Sequence, residues 1–493
     1  MELSAAKDLD RTRDHWWWRP GRTGRRTSGR FCGSSRPPAP PPHRPGTPRR
    51  APARYPRPIL DGDEHRPLSR AEQVDAATPD SRNRVVDFLR AAAITVVVLG
   101  HWTIMAVSVD GGLQPHGVLD QARWTHPLTW VFQVMPIFFL VGGYSNALSW
   151  RSARRRQEGY ASWLRTRLRR LGIPLLPLLL TWLVICTLAL ALGAPAQTVR
   201  LASQMALIPT WFLAAYLLVI VLAPACLVLW ERFGWYSIIG GVVLAGLVDA
   251  LSITTGQPLL GYPNYVLVWA AFHQFGYAWL DGRLAGAGRR LVLAAIGAAG
   301  LVLLVGPGPY PVSMITAGTD AISNSNPTRV TMAFLGMMQA GLVLLAERPL
   351  TALLRRPRVW LVTVLLNRRI MSWFLWHLTA LVGLAHLLVA LDAQTLLPQP
   401  LTGTWWATRP LWCLALLAIT GVIVLVVGRF EDPRADDRPA PALWRPVLAA
   451  ALVCAGLAVM ATSGMVGSDG VNWVWPLLPV VGLLGLGMVR LRP

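Results

Sequence analysis

The stretch RVVDFLRAAAITVVVLGHW, Arg84 to Trp102, decides how the rest of the chain is read. It has the length of a membrane crossing, about 20 helical residues. Yet it opens on three ionisable residues, Arg84, Asp87 and Arg90, and carries His101 near its other end. At 100° and 1.5 Å per residue, the eleven residues from Arg90 to His101 make three turns plus about 20° and rise about 16 Å. The two side chains therefore share a face, with Asp87 and Arg84 close to it by i, i+3 spacing. The span has a polar stripe from the membrane boundary to roughly mid-bilayer. A histidine at that depth is costly and faces the protein interior or a wet cavity. A satisfied packing histidine beneath a snorkelling boundary arginine would give the same pattern, and this span alone does not choose between the two.

The composition places the stretch in context. Of 493 residues, 53% are hydrophobic and only 15% charged, and the mean hydropathy is +0.41. These values predict an all-α polytopic membrane protein rather than a soluble globule. A formal charge of +22 would suggest nucleic acid in a soluble chain. Here the arginines cluster in a tail and in short loops between apolar runs, which is the pattern of cytoplasmic membrane flanks, and no nucleic-acid partner is expected. The cysteines Cys32, Cys186, Cys226, Cys413 and Cys454 stand singly, without CxxC or Cys/His ligand spacing. Neither a disulfide framework nor a metal site is expected. Lys7 is the sole lysine, and this arginine bias with abundant Ala, Gly and Pro points to a GC-rich bacterial genome.

Residues 1–83, rich in Arg, Pro, Gly and Ser, have no apolar periodicity and are predicted to be a disordered basic tail. Two readings of this tail stay open: translated upstream sequence, with the true start nearer Arg84, or an arm that touches anionic headgroups. Twelve apolar segments follow, near 86–108, 127–149, 173–193, 205–229, 236–253, 264–280, 291–306, 330–346, 371–391, 409–428, 447–464 and 473–489. They predict about ten to twelve transmembrane helices. Alternate loops carry the arginines, from RSARRRQEGYASWLRTRLRR (Arg151–Arg170) through Arg232, then Arg283, Arg289 and Arg290, then Arg348, Arg355, Arg356, Arg358, Arg368 and Arg369, to Arg429, Arg434, Arg438 and Arg445. The opposite loops hold little beyond Arg123, Arg200, Arg329 and Arg409. The asymmetry predicts a multi-pass protein of the cell membrane with both termini cytoplasmic, Ser152–Arg170 cytoplasmic, and the loop GPGPYPVSMITAGTDAISNSNPTR (306–329) extracytoplasmic.

Further residues that could carry chemistry lie along the chain. MPIFFLVGGYSNALSW (Met135–Trp150) is broken by Gly142 and Gly143, which allow close approach of a helix or ligand. Arg165, Arg167, Arg169 and Arg170 precede LGIPLLP, and arginine forks match phosphate groups as well as marking topology. NRRIMSWFLWHLTAL places His377 about two turns after Arg368 and Arg369, a second ionisable group in membrane. Trp211, His273 and Gln274 are weaker signals.

Taken in order, these features resemble the acyltransferase 3 family of integral-membrane enzymes, over about Arg84 to Phe430. The resemblance rests on RVVDFLRAAAITVVVLGH with its Arg-x10-His spacing, PIFFLVGGYSNA, RTRLRRLGIPLLP, WFLAAYL and SWFLWH. It implies a domain over 84–430, followed by a cytoplasmic linker and two extra transmembrane helices in 431–493. It also implies transfer of an acyl group, often acetyl, from cytoplasmic acyl-CoA to a cell-envelope carbohydrate, lipid or related acceptor, with no permanently bound cofactor. The chain departs from the family pattern at Gly142, where a Ser-Gly-Phe serine is typical, and at Trp373 and Trp376, where tyrosines are typical.

Acyl transfer to a hydroxyl needs a base in hydrogen-bond reach, for which imidazole is best suited, and cationic groups for the CoA phosphates. His101, His377 and Asp87 are the candidate catalytic residues, and Arg84, Arg90, Arg165 and Arg169 the candidate donor-binding residues. Whether His101 acts only as a base or carries the acyl group transiently stays open. The alternative function is a transporter or exporter, since a mid-membrane histidine also suits a proton-coupled carrier.

Overall fold

The structure, a computed structural model, describes residues 68–108, 114–318, 320–432 and 438–487. The chain divides into two compact units, 1–73 and 74–493. Of the first, the described part is the start of a short helix, α1 (Arg70–Ala76). It opens on a capping box: the Ser69 N–H and hydroxyl both donate to the Glu72 carboxylate at 2.7 Å, while the Glu72 N–H reaches back to Ser69 Oγ at 3.4 Å. The predicted disordered tail therefore ran too far. Residues 1–67 lie outside the described residues, but α1 is helical because Ser69 and Glu72 supply the start signal that a count of apolar residues overlooks.

The second unit is helical almost throughout. Its longer helices are α2 (Arg84–Ile104), α3 (Met135–Arg155), α4 (Tyr160–Gly172), α5 (Leu175–Ala191), α6 (Ala196–Leu207), α7 (Thr210–Phe233), α8 (Trp235–Thr254) and α9 (Asn264–Leu280). There follow α10 (Ala287–Val305), α11 (Thr331–Leu345), α12 (Glu347–Leu354), α13 (Pro357–Arg368), α14 (Ile370–Ala390), α15 (Gly403–Val427), α16 (Trp444–Ser463) and α17 (Val474–Gly485). A small antiparallel hairpin, β1 (Met105–Ser108) with β2 (Gln114–Gly117), continues directly from α2. Helix α2 starts where its sequence directs: Asn83 Oδ1 accepts from the N–H groups of Val85 and Val86, and Asp87 sits in the first turn.

Among the described residues, eight helices are long and apolar enough to cross a membrane, or ten if two bent pairs each count as one span. The pairs are α4 with α5, bent by 43°, and α11 with α12, bent by 53°. Proline explains both bends. Pro174 and Pro349 have no N–H to donate to the carbonyls four residues back, at Arg170 and Leu345. The predicted span 264–280 is matched by α9, of 17 residues, while 473–489 comes out shorter, as the 12-residue α17. Helix α9 is walled in by protein on most of its circumference, with Trp269, Phe272, His273 and Tyr277 buried to 1% exposure or less.

The arginine-bearing loops gather at one end of the bundle. There Arg151 binds Glu231 and Asp281, Arg290 and Trp279 share Glu347, Arg84 donates to the Leu354 carbonyl, and Arg369 binds Asp432. At the other end Trp130 and Gln133 donate to the carbonyls of Val312 and Met314, Arg329 pairs with Asp249, and Gln204 donates to the Thr462 carbonyl.

Helices α3 and α9 cross in close contact. A Cβ on Gly143 would run into the His273 carbonyl, and one on Gly276 into the Leu140 carbonyl, so only glycine fits at either position. The crossing is sealed by Phe139 stacked on Trp269, centroids 4.4 Å apart.

Candidate active site

Two helices bring the site together. The Asp87 carbonyl of α2 accepts from Asn367 Nδ2 at 2.9 Å, and His101, about four turns further on, meets His377 of α14. Helix α2 and the 367–377 segment thus run side by side in the same direction. The start of α14 is held by Glu431, whose carboxylate accepts from the N–H groups of Met371 and Ser372 and from Ser372 Oγ at 2.8–3.0 Å. A carboxylate on a helix N-terminus satisfies orphan donors and the helix dipole together.

His101 Nδ1 and His377 Nε2 are 2.8 Å apart, and the two rings stack at 5.1 Å with only 10° between their planes. The remaining bonds fix which atoms carry protons when both rings are neutral. His377 Nδ1 lies 2.7 Å from the Phe374 carbonyl, which can only accept, so Nδ1 carries the hydrogen and Nε2 the lone pair. His101 Nδ1 must then donate to His377 Nε2, leaving the lone pair of His101 on Nε2. Trp102 Nε1 donates to the His377 carbonyl at 2.9 Å and locks the two helices together beside the pair. His377 is fully buried while His101 is partly exposed. Among the described residues no group is hydrogen-bonded to His101 Nε2. The pair is therefore an oriented imidazole with one basic nitrogen open.

About 16 Å back along α2, counted from His101, lies Arg90. It is bonded to Asp87 at 3.1 Å and to Ser145 Oγ of α3 at 2.9 Å. Arg167 and Arg170 of α4 lie near enough for their charges to interact with Arg90, and both also interact with Tyr216 of α7. Gly142 makes room for that ring, since a Cβ there would sit 2.8 Å from Tyr216.

This geometry revises the predicted site. Asp87 does not join the histidines: fourteen helical residues, about 21 Å, separate it from His101. Its carboxylate lies between Arg82 at 2.7 Å and Arg90 at 3.1 Å, where it positions cations. Arg84 is committed elsewhere, to Asp75, to the Leu354 carbonyl and over the Trp360 ring. Arg165, buried to 7% exposure, donates to the carbonyls of Arg438 and Pro439 and so ties α4 to the segment before α16. The reason is helical phase. Arg165 and Arg169 are 40° apart on one side of α4, and Arg167 and Arg170 lie on the other, where Arg90 is.

Some buried polar groups carried little or no signal in the sequence. Asn146 Nδ2 meets His273 Nε2 at 3.1 Å, His273 Nδ1 meets Tyr277 OH at 2.9 Å, and Tyr277 donates to the Ala223 carbonyl. This chain crosses from α3 through α9 to α7. Asp249 in α8, fully buried, accepts from Asn264, Arg329, Tyr310 and the Val330 N–H. Nothing local in AGLVDALS marks it, because its partners are 15 to 81 residues away.

Apolar helices long enough to cross a bilayer, with ionisable groups turned inward, define a multi-pass membrane protein. The chain matches the acyltransferase 3 family, an acyltransferase domain, over residues 83–428. It belongs to that family and is a membrane acyltransferase. The match takes in both histidines, Arg90, Arg167 and Arg170, and ends before Glu431 and the helices α16 and α17. No curated protein and no solved structure matches the chain significantly.

Proposed function

We propose that the protein moves an acyl group, acetyl in the simplest case, from acyl-CoA to a hydroxyl of a cell-envelope carbohydrate, lipid or related acceptor, with His101 as general base. The observation that carries this reading is the His101–His377 pair, with its open Nε2. The hydroxyl proton passes to His101 Nε2 as the hydroxyl oxygen attacks the thioester carbonyl carbon. The C–S bond then breaks, and the CoA sulfur takes the proton from His101 Nε2, returning the imidazole to neutrality. While His101 is charged, its Nδ1–H to His377 Nε2 becomes a charge-assisted bond, stronger than a neutral one. His377 is thus a positioning residue.

The donor phosphates belong at the cationic group of Arg90, Arg167 and Arg170, where guanidinium forks suit phosphate. The pantetheine arm follows α2 from Arg90 to His101, bringing the thioester to the imidazole. Orientation completes the reading: the arginine-rich end faces the cytoplasm, where acyl-CoA is found.

The test is transfer of a labelled acetyl group from CoA by the purified full chain, with acceptors extracted from the cell envelope. Covalent label on an acceptor, lost in His101→Ala, supports the proposal. Movement of an unmodified solute across proteoliposomes with no labelled product would support the transporter instead.

A further inference from the structure

On the far side of α9 from Asn146 and the histidine pair lies a cavity of about 890 Å³, walled by α8 from Trp235 to Val243 and by α10 from Gly288 to Ile296. Phe275 and Met337 form its floor. Of the eight spans, α8 and α10 are the least buried, so the groove opens to the surrounding lipid. Each wall covers nine residues of helix, a rise of about 12 Å, against about 15 Å for one leaflet of a hydrocarbon core about 30 Å thick. Both walls begin at the arginine-rich end. The groove is thus about one leaflet deep.

Its mouth is cationic. Arg283 and Arg289 line it and are exposed; among the described residues neither forms a salt bridge within 4 Å, Arg289 donating to the Arg283 carbonyl at 3.4 Å and Arg283 acting on Asp281 through its charge alone. Asp281, the nearest carboxylate in the chain, is already bound by Arg151 and Trp230 Nε1. Arg290, next in sequence, turns inward onto Glu347 and the carbonyls of Leu284 and Leu344. So adjacent arginines divide the work, one closing the protein and the other facing the groove.

We propose that this groove binds one anionic phospholipid of the leaflet at that end, its phosphate on Arg283 and Arg289 and an acyl chain between α8 and α10. The apolar walls take the chain and the two cations select the headgroup. The site is separate from the histidine pair and does not depend on the assignment of donor or acceptor.

Native mass spectrometry of the full chain in detergent, with dioleoyl phosphatidylglycerol or dioleoyl phosphatidylcholine added, tests this. One phosphatidylglycerol should be retained that phosphatidylcholine does not replace. In the double variant Arg283→Gln, Arg289→Gln its affinity should fall about 30-fold, at roughly 1 kcal/mol for each cation near the membrane surface. Gly288→Trp should also lower retention, because a side chain there enters the groove and its Cβ meets no atom within 4 Å. Arg283→Lys with Arg289→Lys should keep the site, which covers the case in which the neutral variant folds poorly. Equal retention of the two lipids, or an unchanged count of bound phosphatidylglycerol in both the neutral and the Gly288→Trp variants, would overturn the proposal. So would displacement by glycerol 3-phosphate at matching concentration, which would identify a free-phosphate site.

Discussion

Two of the buried polar clusters among the described residues, one at Asp249 and one at the histidine pair, differ in what they leave open. Asp249, between α8, α9 and the loop 306–329, has both carboxylate oxygens filled by two donors each. The His101–His377 pair has three of its four ring nitrogens engaged and the fourth, His101 Nε2, open. Buried polar groups are expensive unless paired. A carboxylate with both oxygens filled is a fastener, and a histidine pair with a single basic lone pair left over is suited to accept a proton. The difference separates structure from chemistry better than residue type does, because an aspartate in a span looks as catalytic as a histidine.

The sharpest way to break the contrast is His101→Ala. If the open nitrogen is the base, turnover of labelled acyl-CoA should fall by about 10²- to 10⁴-fold, with insertion and thermal stability in detergent unchanged, and His101→Gln should not restore it. A turnover within about threefold of the parent at equal expression would make this histidine a packing residue. Asp249→Ala should behave in the opposite way. It leaves Arg329 buried at 5% exposure without its carboxylate, which costs about 3–5 kcal/mol of stability, while the protein that does fold keeps its activity. Melting and specific activity measured on the same preparation check both halves. A stable but inactive Asp249→Ala would put Asp249 in the chemistry and end the distinction.

Smaller effects sharpen the comparison. His377→Ala removes a hydrogen bond that strengthens when His101 is charged, worth about 1.5–3 kcal/mol, so kcat should drop about 10- to 100-fold with KM for acyl-CoA little changed. A rise in KM alone would place His377 in donor binding instead. Arg90→Ala should do the reverse, raising KM for acyl-CoA about tenfold through loss of one charge-assisted contact. Arg165→Ala should leave KM unmoved and lower only the melting temperature, since its guanidinium serves the carbonyls of Arg438 and Pro439. Equal KM effects at Arg90 and Arg165 would undo the assignment of α4's two faces.

Much of this was legible in the chain before any tertiary contact was known. The helical membrane architecture follows from apolar runs of spanning length, and the family from motifs in a fixed order. Periodicity along one helix put Arg90 and His101 on one face, because α2 is continuous from Arg84 to Ile104. The same reasoning misjudged Asp87, whose shared stripe hid a separation of about 21 Å. It also treated the arginines of α4 as one cluster when they point to two sides of the helix. The bends at Pro174 and Pro349 were written in the sequence too, but their consequence, two spans each made of two helices, needed the angles of 43° and 53°.

What the sequence determined by itself is whatever depends on neighbours a few residues apart: helix starts at Ser69 and Asn83, spans, and the alternation of arginine-rich loops. Pairings across long intervals were decided only by the tertiary structure. His101 meets a histidine 276 positions away, and Glu431, beyond the family match, reaches back about 60 positions to hold the helix that carries it. The tautomer that opens His101 Nε2 follows from the Phe374 carbonyl. The cause is physical: backbone hydrogen bonds in a helix are local and read from spacing, whereas a side chain buried in a bundle must find its partner on another helix.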